Sequence, residues 1–260
     1  MEDVLSQLLP VLTALWWPFC RVLAMLSSVP VIGESVMPVT LRILLALVLS
    51  VLMLPMAQHA VQIDPFSAHG VMATIEQAVI GFVLGLAFHY TSAVIGVLGF
   101  LITSQMGFSM AVMNDPMNGS SSDVVSSLLS VLSIIVFFGI DGHLMVTGVV
   151  GASFKAWPLG GGYGPLLLQT VMYNIAWVFS AAMLLAIPVV FSTLVVQLGF
   201  GLLNRVAPTL NLFSLGFSVI TLFGLLMLTQ MIRFIPEHYV MMTNRILDLL
   251  QQQMQAAAHG

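Results

Sequence analysis

Charge is what this sequence lacks. Of 260 residues, 6 are Lys or Arg and 10 are Asp or Glu, so 6% are charged while 59% are hydrophobic. A soluble domain carries about 25% charged residues. A chain this poor in charge cannot cover a globule facing water, which leaves lipid, an oligomer interior, or both. No basic stripe offsets the net charge of −4, so nucleic-acid binding is excluded. Cys20 is the single cysteine; it rules out an internal disulfide and any multi-thiolate metal site. The start, Met1-Glu2-Asp3, lacks the positive n-region of a signal peptide, so the first apolar stretch is expected to be retained. Enzyme signatures are missing as well. There is no Gly-rich phosphate loop, no His-Glu-x-x-His and no Gly-x-Ser-x-Gly. The six histidines have no metal-ligand spacing. No catalytic residue, cofactor or metal is expected.

What is present is a series of apolar runs. Crossing a bilayer takes roughly 20 apolar residues, and six stretches meet that length: 8–32, 39–61, 71–103, 124–154, 168–203 and 210–235. No Asp, Glu, Lys or Arg occurs between Glu76 and Asp115, nor between Lys155 and Arg205. Both intervals exceed one span, so each holds an overlong tilted helix or a helix that bends back. Proline and glycine punctuate the runs in "SSVPVIGESVMP" (27–38), "IDPFSAHG" (63–70), "WPLGGGYGP" (157–165) and "NRVAPTL" (204–210). The last of these is short and predicts an antiparallel hairpin. The segment after Ile235 is amphipathic and reads as a helix continuing out of the membrane. The expected architecture is all-α, a multi-helix integral membrane subunit built of kinked hairpins, with no soluble domain.

Gly81 and Gly85 form a small-xxx-small face that lets helix backbones approach closely. The loops show no positive bias. Arg42 and Arg205 fall on one side, Lys155, Arg233 and Arg245 on the other. Multi-pass proteins ordinarily concentrate Lys and Arg on the cytoplasmic side, so partner subunits rather than loops would fix this chain's position. An intramembrane charge costs several kcal/mol unless paired or wet. Arg21 lies inside the first run, and Glu34 and Glu76 lie at segment edges; these three are candidates for pairing between subunits. Every acid lies at an edge or in a loop, which counts against an ion-coupled carrier. His143 in "GIDGHL" reads either as a proton relay with Asp141 or as part of an interfacial turn.

The stretch "SQMGFSMAVMNDPMNGSSSD" (104–123) interrupts this pattern. Met106, Met110, Met113 and Met117 recur at spacings of four, three and four. Methionine is unbranched, polarisable and able to repack around different shapes. Such side chains seal a pore yet deform around a passing chain; Phe108 adds bulk, Gly107 supplies a hinge, and Asn114-Asp115-Pro116 a fixed turn. Non-helical backbone survives at membrane depth only where it is buried in protein or lines a cavity. The competing readings are a plain loop, a solute transporter, and a purely structural assembly core.

Four segments in order, "RVLAMLSSVPVIGESVMPVTLRILLALVLS" (21–50), "EQAVIGFVLGLAFHYTSAVIGVLGFLITSQMGFSMAVMNDP" (76–116), "FFGIDGHLMVTGVVGASFKAWPLG" (137–160) and "NRVAPTLNLFSLGFSVI" (204–220), resemble the FliR/YscT/SpaR family. Its members are export-gate subunits of flagellar and virulence type III secretion systems, and "NLFSLGF" is nearer the flagellar branch. The resemblance implies a non-catalytic subunit that assembles with FliP-family and FliQ-family subunits, and with an FlhB-family subunit. The gate would sit in the basal body at the bacterial inner membrane, in contact with lipid, and pass unfolded export substrates. It implies a FliP-like part over 1–167, a FliQ-like hairpin over 168–250 and a tail over 251–260. The loop 104–123 would plug the channel through Met106, Gly107, Phe108, Met110, Met113, Asn114, Asp115 and Pro116. Arg205, Pro208, Asn211 and Phe213 would dock the hairpin on neighbours. Met110 and Met113 stand where bulky apolar residues vary in the family.

Overall fold

An apolar run must satisfy its backbone amides within the segment, and the helix is the local way to do so. The computed structural model describes residues 2–33, 37–57, 63–106, 124–161, 165–206 and 212–259, and the described part of each of the six runs is mainly helical. The helices are α1 (Glu2–Ser28), α2 (Val39–Ala57), α3 (Ala68–Gln105), α4 (Val124–Gly139), α5 (Gly142–Ala156), α6 (Pro165–Val206), α7 (Leu212–Ile232) and α8 (Ile235–His259). No strand occurs among the described residues. Four helices are long and apolar enough to cross a membrane, or up to six spans if the bent pairs α4–α5 and α7–α8 each count as one.

Three boundaries differ from the sequence expectation, each for a local reason. The run 124–154 breaks at Asp141, whose φ of 56° is left-handed. A Cβ at Gly142 would press on the ring and carbonyl of Phe137. "GIDGHL" thus forms a turn between two helices. The last segment does not continue the preceding helix but restarts at Ile235. Pro236 has no N–H and its ring clashes with the carbonyl four residues back, so the helix ends and Pro236 enters the first turn of α8. Third, α3 begins before Gly70 instead of after it. Ser67 Oγ accepts the Gly70 N–H at 3.0 Å, an N-cap that draws the glycine into the first turn.

The two charge-free intervals hold overlong helices. α3 has 38 residues and α6 has 42, which at 1.5 Å per residue gives about 57 Å and about 63 Å.

The chain divides into two compact units, Met1–Thr91 with Phe137–Asn174 and Met242–Gly260, and Ser92–Val136 with Ile175–Met241. In the first unit α1 packs on α2, and both meet α5. The Gly81/Gly85 face is used as expected. A Cβ at Gly81 would strike the Arg21 carbonyl, and one at Gly85 would strike Ser28 Oγ and the Met25 carbonyl, so α1 lies directly on the α3 backbone. Ser28 Oγ also donates to the Phe82 carbonyl at 2.9 Å. In the second unit the core includes Ile95, Leu98, Ile102, Leu129, Val178, Ala182 and Val189. α6 and α7 meet at Phe200 and Gly216, where a Cβ built on Gly216 would lie 3.7 Å from the Phe200 ring.

Much of the apolar surface faces outward. Val178, Ala182, Ala186, Val189 and Thr193 make a buried stripe on α6, while Phe179, Met183, Ile187, Phe191 and Leu198 are exposed. On α2 the buried residues are Ala46 and Ser50. A large apolar side chain left in water forgoes about 1.5–3 kcal/mol, so these faces require lipid or another protein.

Candidate functional site

Two places in the fold carry the expected functional residues. In the first unit, Arg21 is fully buried (0% exposed). A buried guanidinium needs all its donors directed at acceptors, and three elements provide them. Arg21 Nε donates to Gln77 Oε1 of α3 at 2.8 Å. One terminal nitrogen donates to Ser153 Oγ of α5 at 3.1 Å, and the other to the Trp157 carbonyl at 2.8 Å. The Phe154 ring lies 4.3 Å from the guanidinium carbon, a cation–π contact. All direct acceptors are neutral, and half-buried Glu76, beside Gln77, adds a Coulombic counter-charge. Arg21 is thus a clamp joining α1, α3 and α5 within this chain. The Gln77 Nε2 donor has no hydrogen-bond partner among the described residues.

In the second unit, α3 ends at the root of the methionine-rich stretch. Met106 is fully buried (0% exposed). Its N–H donates to the Ile102 carbonyl at 3.0 Å, so it still belongs to the last helical turn. Its own carbonyl accepts from Thr221 Oγ1 of α7 at 3.0 Å. Its side chain lies in the notch left by Gly224, where an added Cβ would come within 2.5 Å of Met106 Cγ. Gln197 Nε2 of α6 donates to the adjacent Gln105 carbonyl at 3.4 Å. The last carbonyls of a helix have no partner within it, and α6 and α7 supply them here.

Of the other expected site residues, Gly107, Phe108, Met110, Met113, Asn114, Asp115 and Pro116 lie outside the described residues, as do Glu34, Pro208 and Asn211. Arg205 is exposed in the last turn of α6. Phe213 belongs to the first turn of α7. The structure brings Arg21 and Glu76 into one neighbourhood, and Arg205 belongs to the second unit. Sequence reasoning did not pick out Gln77, Ser153 and Trp157 as partners of Arg21, nor Thr221 and Gly224 as the seat of Met106. A signal for the first set existed. A lone arginine in an apolar helix demands polar acceptors, and Gln77 is one of few long polar side chains in the charge-poor runs. Gly224, one of several small residues in α7 beside Gly216 and Ser218, carried none. No group of three or more His, Cys, Asp or Glu among the described residues is arranged to hold a metal ion.

The sequence matches known proteins of one family. Residues 12–246 fit the family described as bacterial export proteins, family 1. The chain is 32% identical over 239 residues to the flagellar biosynthetic protein FliR of Pectobacterium carotovorum subsp. carotovorum, covering 90% of each chain. It is 28% identical over 248 residues to FliR of Escherichia coli (strain K12), covering 94% of each. It is also 25% identical over 219 residues to the surface presentation of antigens protein SpaR of Salmonella typhimurium, covering 84% of this chain and 81% of that one. The match runs from within α1 to within α8 and takes in residues of both units, and the chain belongs to the bacterial export protein family 1, the FliR/YscT/SpaR family.

Proposed function

We propose that this chain is a non-catalytic subunit of a flagellar or type III protein export gate at the bacterial inner membrane. In that reading it helps to enclose, and plugs, the channel through which unfolded substrates cross. FliP-family, FliQ-family and FlhB-family subunits are its partners within the basal body. Residues 1–167 act as the FliP-like part, 168–250 as the FliQ-like hairpin, and 104–123 as the plug.

One observation carries this reading. α6 extends about 63 Å, and no charge occurs between Lys155 and Arg205. The hydrocarbon core is about 30 Å thick, and tilts of up to about 40° leave α6 still too long. Lipid alone cannot cover an apolar helix of that length, so sister proteins must cover the remainder. The anchoring of Met106 supports the plug. A loop that seals a lumen needs a rigid root, and Thr221, Gly224 and Gln197 make one.

The test has two arms. Membrane extraction followed by mass measurement of the intact particle is expected to give a hetero-oligomer; a lone functional monomer overturns the assembly reading. Deleting 109–113 is expected to let ions leak while the particle still assembles. A tight membrane with normal secretion removes the plug and leaves a scaffold.

A further inference from the structure

Within the first unit, α5 and α8 border an open groove of about 580 Å³ that the export reading does not use. One wall is formed by Gly148 and Ala152 of α5, the other by Leu247 and Met254 of α8. Three polar side chains complete it, Lys155, Gln251 and Gln255. No Asp or Glu lines it, so its one charge is positive. The volume falls within the roughly 300–1,000 Å³ of small-ligand sites.

The position of the groove along the span identifies its ligand. Lys155 is exposed in the last turn of α5, at the end of the bent apolar pair α4–α5. A lysine costs about 2.5–3.5 kcal/mol at the centre of a membrane helix, so it marks the boundary with water. Ala152 and Gly148 lie three and seven residues back along the same helix, roughly 5–10 Å deeper at 1.5 Å per residue. The groove therefore has a cation at one end, in the last turn of α5, and an apolar floor along the helix behind it. Gln251 and Gln255, one turn apart on α8, present two carboxamides on one face.

The geometry points to a phospholipid site. An anionic headgroup binds Lys155 and the two carboxamides, and one acyl chain lies over Gly148 and Ala152 against Leu247. Lysine serves phosphate as a compact point charge. The groove itself lies within this chain's first unit, and the inference does not depend on the plug.

The test is native mass measurement of the assembled complex after incubation with phosphatidylglycerol or phosphatidylcholine. Phosphatidylglycerol is expected to be retained preferentially, and Lys155→Glu to lower its occupancy at least fivefold. Gly148→Leu provides a second arm. A Cβ at Gly148 meets no atom within 4 Å, so the larger side chain enters open groove without striking backbone. It is expected to lower lipid occupancy with Lys155 intact and the complex mass unchanged. A photoreactive residue replacing Ala152 in the otherwise native chain is expected to label lipid. Unchanged occupancy in both variants, or equal retention of the two lipids, overturns the proposal. So does labelling of a sister subunit from position 152.

Discussion

Thr221 Oγ1 hydrogen-bonds the Met106 carbonyl at 3.0 Å, and one turn further along α7 Gly224 leaves the notch that the Met106 side chain fills. Backbone and side chain of one residue are therefore held by two positions of one helix. Gly224→Val is expected to displace Met106 and to destabilise by about 1–3 kcal/mol, the range for overpacking. Thr221→Val loses a single hydrogen bond, about 1 kcal/mol. Under the plug reading, ion uptake into cells rises strongly in Gly224→Val and weakly in Thr221→Val. A lowered melting temperature with no leak in either variant separates Met106 from any sealing role.

The Arg21 clamp gives a prediction whose sign is unusual. Gln77 supplies the acceptor for Arg21 Nε, yet its own Nε2 donor is unsatisfied among the described residues. Gln77→Leu removes the acceptor and leaves part of a buried cation bare, costing about 1–3 kcal/mol. Gln77→Glu does the opposite: the orphan donor disappears and a carboxylate faces a guanidinium that is already buried. Charge-assisted hydrogen bonds are roughly twice as strong as neutral ones, so Gln77→Glu is expected to raise the melting temperature in detergent. A fall equal to that of Gln77→Leu counts against this account of the clamp.

Glycines in similar apolar surroundings should differ sharply. At Gly81 and Gly85 an added methyl meets backbone carbonyls of α1, which cannot rotate away. Gly81→Ala and Gly85→Ala are expected to cost about 1–3 kcal/mol each. At Gly96, also in α3, a Cβ meets nothing within 4 Å. Gly96→Ala should be neutral or stabilising by up to about 1 kcal/mol, from helix propensity. Thermal unfolding of the three variants measures the contrast, and equal losses at all three positions refute close packing as the cause.

These contrasts also mark what the sequence carries and what it does not. The six apolar runs were legible because length and hydropathy decide them, and Gly81-x-x-x-Gly85 because small residues at helical spacing have a fixed steric meaning. The break at Asp141 was half legible, since "GIDGHL" reads as a turn but does not say that a left-handed residue sits there. The break before Ile235 was readable from Pro236, but the amphipathic pattern of α8 outweighed it. Arg21 stood out as a buried charge; its acceptors come from positions 77, 153 and 157, and no local pattern links segments that far apart. Gly224 was silent for the same reason, because its role exists only once α7 lies against the end of α3.

The end of α6 is where the assembly reading is most exposed to test. Leu198, Leu202 and Leu203 are open to the outside, Val206 is 83% exposed, and Arg205 stands among them. Lipid-facing surface tolerates apolar exchange but not charge, whereas a subunit interface is sensitive to both charge and shape. Arg205→Glu reverses the only charge on this segment without touching a buried residue. It is expected to leave the chain in the membrane fraction and to reduce co-recovery of sister subunits at least tenfold, which corresponds to about 1.4 kcal/mol. Leu202→Trp keeps the surface apolar and changes only its shape; at an interface it should lower co-recovery too, and against lipid it should not. Full co-recovery of both variants excludes this end of the hairpin as a docking face and leaves the outward side of α2 as the alternative, since the buried positions of that helix are Ala46 and Ser50.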